Sequence, residues 1–179
     1  MKGIIVMALK STVVDNFGYE AWQKSLERAG LPSHSIFRST VDVPDETVVR
    51  VLEAVCAELN ITLDQAGEAF GHHWMHKIVP RVYPVFTYNI KSARQLLLKM
   101  DKIHDMVTRT IANARPPRFQ YSWTDDNTLI MTYNSPRGLI FLLPGLIRGV
   151  GKYFDEELSV RKLNNTEIEV IFPPEKETT

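Results

Sequence analysis

The spacing of apolar residues changes at Pro116-Pro117, and that switch limits the architecture more than any other feature of the chain. Before it, apolar residues recur every three or four positions, as on one face of a helix. Tyr19, Trp22, Leu26 and Ala29 form one stripe, stopped by Gly30 and Pro32. Val48, Val51, Leu52, Val55 and Leu59 form a second, entered through Pro44 with Asp45 and Glu46 in the first turn, where the helix dipole favours acids. Thr62 and Gln65 have the spacing of a capping box, followed by the stripe Ala66, Phe70, Trp74 and Ile78 on one helix. Tyr83-Pro84-Val85-Phe86 reads as an extended or turn segment, because a residue before proline is pushed away from helical angles. A helix over roughly 92–112 then carries Leu97, Met100, Ile103, Val107 and Ile111.

After the prolines the period becomes two. Phe119, Tyr121 and Trp123 alternate with polar residues, Asp125-Asp126-Asn127 makes a turn, and Leu129, Met131 and Tyr133 resume the alternation. Leu139, Leu142, Leu143, Leu146, Ile147, Val150 and Phe154 return to helical spacing, and Pro144 either kinks this helix or marks its true start. Leu158 and Val160, an Asn164-Asn165 turn, and Ile168, Val170 and Phe172 complete a hairpin. These patterns predict an α+β fold without a βαβ repeat, in which an N-terminal helical subdomain packs on a C-terminal antiparallel four-stranded sheet with helices. The length of 179 residues suits one domain: a helical part over about 1–60, a second part over about 61–174, and a short polar tail at 175–179.

Charge and cysteine content narrow the function. Lys plus Arg and Asp plus Glu both number 21, so no overall positive field recruits nucleic acid or an anionic membrane. Cys56 is the single cysteine, which excludes an internal disulfide and fits a reducing, cytoplasmic setting. The apolar N-terminal run is interrupted by Lys10 and Asp15 and reads as a buried helix, not a signal peptide. No run approaches the roughly 20 apolar residues that a membrane-spanning helix needs.

His104 lies on the same helical face as Leu97, Met100, Val107 and Ile111, so its imidazole points into an apolar region. Such a residue is either a core histidine bonded to a backbone carbonyl or an axial ligand to heme iron. Tyr133, Ser135 and Arg137 stand at i, i+2 and i+4, which on an extended chain puts two hydroxyls and a guanidinium on one side, a row suited to two carboxylates. Heme propionates meet that description; a solvated strand end is the plainer alternative. His72, His73 and His76 cluster on one helix, but no third ligand is evident, and solvated surface histidines are the simpler reading.

Several segments, in order, resemble the heme nitric oxide/oxygen-binding (H-NOX) domain family, related to the heme domain of soluble guanylate cyclase. They are Met1-Lys2-Gly3, Phe17-Gly18 to Trp22, Phe70-Gly71, Tyr83-Pro84, Asp101-Lys102-Ile103-His104, Arg115-Pro116-Pro117-Arg118 and Tyr-x-Ser-x-Arg at 133–137. The resemblance implies heme b buried between the two parts, with His104 as proximal ligand, Tyr133, Ser135 and Arg137 on the propionates, and Pro117 pressing on the porphyrin. Ile5, Leu9, Trp74, Ile78 and Leu142 are expected to line the heme pocket on the distal side, with Met100 on the His104 face. Oxygen-binding relatives carry a distal tyrosine where this chain has Leu142. The loss of a donor to bound dioxygen removes roughly 1–3 kcal/mol. The chain is therefore expected to bind nitric oxide and carbon monoxide, to exclude dioxygen, and to act as a non-enzymatic sensor. Nitric oxide is expected to loosen the iron–His104 bond and so signal to a separate histidine kinase or diguanylate cyclase. The competing readings are a heme enzyme of peroxidase type and a cofactor-free interaction module.

Overall fold

Several helices begin where the sequence supplies a start signal. In the computed structural model, which describes residues 1–174, α1 (Gly3–Phe17), α2 (Tyr19–Arg28) and α3 (Asp45–Leu59) bury one face each against the others. Val6, Leu9 and Val13 from α1, Trp22 and Leu26 from α2, and Val51 and Val55 from α3 form the first core cluster. The polar tail at 175–179 lies outside the described residues.

The helix α4 (Leu63–His73) opens with a complete capping box: Gln65 N–H donates to Thr62 Oγ1 (3.1 Å), and Thr62 N–H donates to Gln65 Oε1 (2.9 Å). The expected single helix to Ile78 does not form. Trp74–Ile78 is a π-helical segment, in which Val79 N–H reaches back five residues to the Trp74 carbonyl, followed by the short helix α5 (Val79–Val82). Pro80 explains the change, because it has no N–H to continue an α-helical ladder and is tolerated in the first turn of a new one. Tyr83 is pushed off helical angles, as the following proline requires (φ −130°, ψ 37°). Pro84 itself corrects the extended reading: it starts the helical turn α6 (Pro84–Thr87), where its fixed φ is favourable. The next helix, α7 (Ala93–Thr110), starts at Ser92, whose Oγ accepts from Gln95 N–H (3.1 Å).

The sheet comprises β1 (Arg118–Trp123), β2 (Thr128–Asn134), β3 (Ser159–Lys162) and β4 (Glu167–Ile171), antiparallel in the order β1-β2-β4-β3. Phe119 faces Tyr133, Leu129 faces Val170 and Met131 faces Ile168, so one side of the sheet is continuously apolar. It is covered by Ala93 and Leu97 of α7 and by Leu143 and Ile147 of α8 (Leu143–Tyr153). A 3₁₀ turn at Leu139–Leu142 precedes α8, so Pro144 marks the helix start and does not kink it.

Within the 61–174 part, α4 packs directly on α8. Glycines make that seam: a Cβ on Gly71 would lie 2.6 Å from the Leu146 carbonyl oxygen, one on Gly145 2.8 Å from Glu68 N, and one on Gly149 2.5 Å from His72 N. Side-chain charges close its flank, with Arg148 paired to Asp64 and Glu68 and Lys152 to Glu68.

Candidate functional site

His104 is held on α7 by a bond from its Nδ1 to the Pro117 carbonyl, 2.6 Å away. A carbonyl only accepts, so Nδ1 carries the proton and Nε2 presents a lone pair. Burial pushes the His104 pKa below its ordinary value; the Pro117 bond and Asp101 oppose that, and Arg118 adds to it. The imidazole is thus neutral near pH 7. No described group hydrogen-bonds Nε2. Among the described residues every enclosed side-chain nitrogen or oxygen has a partner, so Nε2, which has none, opens onto accessible space. The apolar stripe around it is only partly covered: Leu97 is buried, while Met100, Ile103, Val107 and Ile111 are half-buried.

The segment before β1 fixes this geometry. Arg118 binds Asp101 bidentately (both 2.7 Å) and Asp105 at 3.1 Å, and Phe119 N–H donates to Asp101 Oδ1 (2.8 Å). The Arg118 guanidinium holds the Asp101 carboxyl down to about 2. Tyr121 Oη donates to the Leu97 carbonyl (2.8 Å) and accepts from Asp101 N–H (3.1 Å). Asp101 and Arg118 were not among the site residues expected from sequence; their signal was an acid one turn before His104 and a base just after the prolines. The Phe119 ring lies between His104 (5.6 Å) and Tyr133 (6.1 Å).

The Tyr133-Ser135-Arg137 row differs from the extended chain expected. β2 ends at Asn134, and Pro136-Arg137 is a turn, as a proline at the second position of a turn favours. Tyr133 is buried, with Oη accepting from Leu139 N–H (3.3 Å), and Ser135 Oγ accepts from Arg137 N–H (3.3 Å). The Arg137 guanidinium donates to Asp45 Oδ2 (2.6 Å) and to the Arg115 carbonyl. Burial opposes ionisation of Asp45, but bonds from the Met1 amino group and Arg137 keep its pKa below the usual carboxylate range. The row therefore meets the His104 support at residues 115–117.

Ile5, Leu9 and Leu142 belong to the helical cluster together with Phe70. Trp74 and Met100 pack around Met75 and Val79, and Ile78 is half-buried in the π segment. Trp74 bridges the two groups, stacked on Phe70 (5.6 Å) and on Tyr83 (6.2 Å). The surface reading of the histidine cluster is corrected for His73. It is buried, with Nε2 3.0 Å from Ser11 Oγ and Nδ1 3.9 Å from Asp15, because α1 covers that face of α4. His72 and His76 pack against each other edge-on (4.2 Å), and the described residues contain no metal-binding group of three such side chains.

The donor set suits heme. It offers a neutral imidazole with a free Nε2 amid apolar residues, and nearby hydroxyls with a guanidinium that already binds a carboxylate. A model of the haem-NO-binding family matches residues 2–162. The chain belongs to the haem-NO-binding family. That family comprises heme-based gas sensors, and its sheet-and-helix architecture is the one described above. Soluble guanylate cyclase gcy-32 of Caenorhabditis elegans is 25% identical over 165 residues. The match takes in 89% of this chain but 24% of that protein, so the chain spans about a quarter of its relative's length. An oxygen-binding H-NOX domain related to soluble guanylate cyclases, solved as its oxygen complex, aligns with a TM-score of 0.76 at 24% identity, covering 100% of this chain and 99% of the other. An unliganded Fe(II) H-NOX variant from K. algicida aligns with a TM-score of 0.79 at 23% identity, covering 99% and 98%. At these identities the structures establish the fold shared with the haem-NO-binding family. No helix of the described residues is long and apolar enough to cross a membrane.

Proposed function

We propose that this chain holds heme b through His104, binds nitric oxide and carbon monoxide in the ferrous state, excludes dioxygen, and reports its state to a separate effector protein. The observation that carries the reading is the free Nε2 of an imidazole whose other nitrogen is fixed by Pro117. A carbonyl that accepts from the other ring nitrogen sets tautomer and ring orientation in metal-binding histidines. When bound, heme would supply an iron able to coordinate a diatomic gas.

The remaining roles fall to the protein. Asp101 and Arg118 hold α7 at one register on β1, which keeps His104 from sliding along its helix axis. Tyr133, Ser135 and Arg137 take the propionates, Arg137 doing so by sharing or exchanging its Asp45 partner. Pro117, on the same segment that orients His104, would pack against the porphyrin. Ile5, Leu9 and Leu142 offer no side-chain donor, which disfavours the polar dioxygen adduct and leaves nitric oxide and carbon monoxide less affected. Trp74 fills the pocket from its aromatic stack. The effector is a histidine kinase or a diguanylate cyclase, and the chain itself is not catalytic. Of the two histidines that could serve a peroxidase as distal acid/base, His73 is tied to Ser11 between α1 and α4, and His76 packs edge-on against His72 and Tyr153. Absorption spectra of the reduced protein test the proposal: nitric oxide and carbon monoxide shift the Soret band, and air does not. A stable dioxygen complex overturns the selectivity, and absence of any Soret band after expression with ample heme overturns the cofactor.

A further inference from the structure

Residues 69–100 contain five lysines and arginines and no aspartate or glutamate, although the whole chain is balanced at 21 of each sign. Within that stretch, α5, α6 and the residue after α6 turn large apolar side chains outward: Val82 is 46% exposed, Val85 84% and Tyr88 80%. Lys77, Arg81 and Lys91 are exposed around them, and none has an ion-pair partner among the described residues. Arg118, Arg137 and Arg148, by contrast, are each paired with a carboxylate. Among the described residues, carboxylates of other elements touch the stretch where Glu156 accepts from Ala93 N–H (3.2 Å) and where Asp15 lies 3.9 Å from His73. Neither reaches the three exposed cations. The inner side of the same short helices carries Val79 and Tyr83, and Tyr83 stacks on Trp74.

We infer that the segment 76–91 is a docking surface for an acidic amphipathic segment of a partner protein, whose apolar side covers Val82, Val85 and Tyr88 while its carboxylates meet Lys77, Arg81 and Lys91. An unpartnered apolar patch rimmed by charge of one sign marks an interaction site whose partner carries the opposite sign. A membrane fits less well, because α5 and α6 span four residues each and offer no continuous amphipathic face to lie in the interface. The inference rests on the proposal that the chain signals to a separate protein, and it places that contact one residue from the Trp74–Tyr83 stack.

The test uses the full heme-loaded chain and a fluorescent synthetic peptide with a Leu/Phe centre flanked by glutamates. Its lysine-flanked counterpart and phosphatidylcholine vesicles containing phosphatidylserine are the comparisons. Anisotropy is expected to show binding of the acidic peptide alone, weakened about tenfold or more by the combined Lys77→Glu, Arg81→Glu and Lys91→Glu changes and by added salt. Val85→Ser with Tyr88→Ser weakens it comparably, and amide exchange shows protection confined to 76–91. Failure of the acidic peptide to bind, binding that survives charge reversal, protection elsewhere, or vesicle binding abolished by the same substitutions overturns the inference. The Soret band and its response to nitric oxide are read in parallel. Their absence sinks the gas-sensor reading without touching the peptide result, and their persistence in every variant shows that only docking was lost.

Discussion

Replacing Gly149 with alanine sets helix propensity against close packing at the α4–α8 seam. Propensity alone says that Ala stabilises a helix interior by about 1 kcal/mol over Gly. Gly149 is not among the positive-φ glycines, so no backbone strain enters. A methyl there would stand 2.5 Å from His72 N and 2.8 Å from the Gly71 carbonyl carbon, both backbone atoms with no rotamer in which to retreat. Ordinary contact requires the helices to part by roughly 1 Å, a gap that forfeits a quarter to a half of each dispersion well along the seam. Overpacking of this kind costs about 3 kcal/mol at the upper end, so the net destabilisation is about 2 kcal/mol, equivalent to about 4–8 °C in Tm for a domain of this size. Urea unfolding followed by circular dichroism measures it, given an unchanged dependence on denaturant. A Gly149→Ala protein with an equal or higher midpoint refutes the close-contact account of the seam.

Asp101→Asn removes the bidentate Arg118 pair and weakens the bond from Phe119 N–H, and urea unfolding at neutral pH is expected to show a loss of about 1–2 kcal/mol. Because the folded pKa of Asp101 is lowered to about 2, this stability is present above the unfolded carboxyl value and is lost as pH falls through the folded one; a wild-type protein equally stable at acid and neutral pH excludes it. His104→Gly should keep its circular dichroism and lose heme unless imidazole is added, and unaltered heme retention refutes the ligand assignment. With a pKa below its ordinary value, His104 keeps Nε2 available at neutral pH; heme titrations should weaken once pH falls below that lowered pKa, by up to one proton's slope. Leu142→Tyr should confer a ferrous dioxygen complex visible in air, by roughly 1–3 kcal/mol of added hydrogen bonding.

What the sequence disclosed was local. Thr62 with Gln65, the alternation of Phe119, Tyr121 and Trp123, and the Asp125 turn each place cause and effect within a few residues, so helix starts, strands and the hairpin could be read directly. Two departures were local as well but needed more than apolar period: Pro80 converts the end of a continuous stripe into a π segment, and Pro136 converts an extended row into a turn. The rest lay in tertiary contacts. Periodicity cannot show that α1 covers His73, that Asp45 meets Arg137 across 92 positions, or that glycines four apart on two helices face each other. Each depends on which surfaces meet.

A carbonyl bond alone does not separate the two readings of His104, because a core histidine and a metal-binding one both make it. The distinction lies in the other nitrogen, and in what the segment 115–118 holds. The Arg115 carbonyl takes Arg137, the Pro117 carbonyl takes His104, and the Arg118 guanidinium takes Asp101 and Asp105, so three of the four residues 115–118 fasten α7 and the chain after β2 to one segment. Two prolines in that segment fix φ at successive positions and leave little freedom to absorb a displacement locally. Movement of His104 along or away from α7 must therefore either break the Pro117 bond or carry the segment with it, and through Arg137 and Asp45 that motion reaches the first turn of α3. For a ligand whose position reports an event at a bound metal, such a link supplies the mechanical connection that coupling between sites requires.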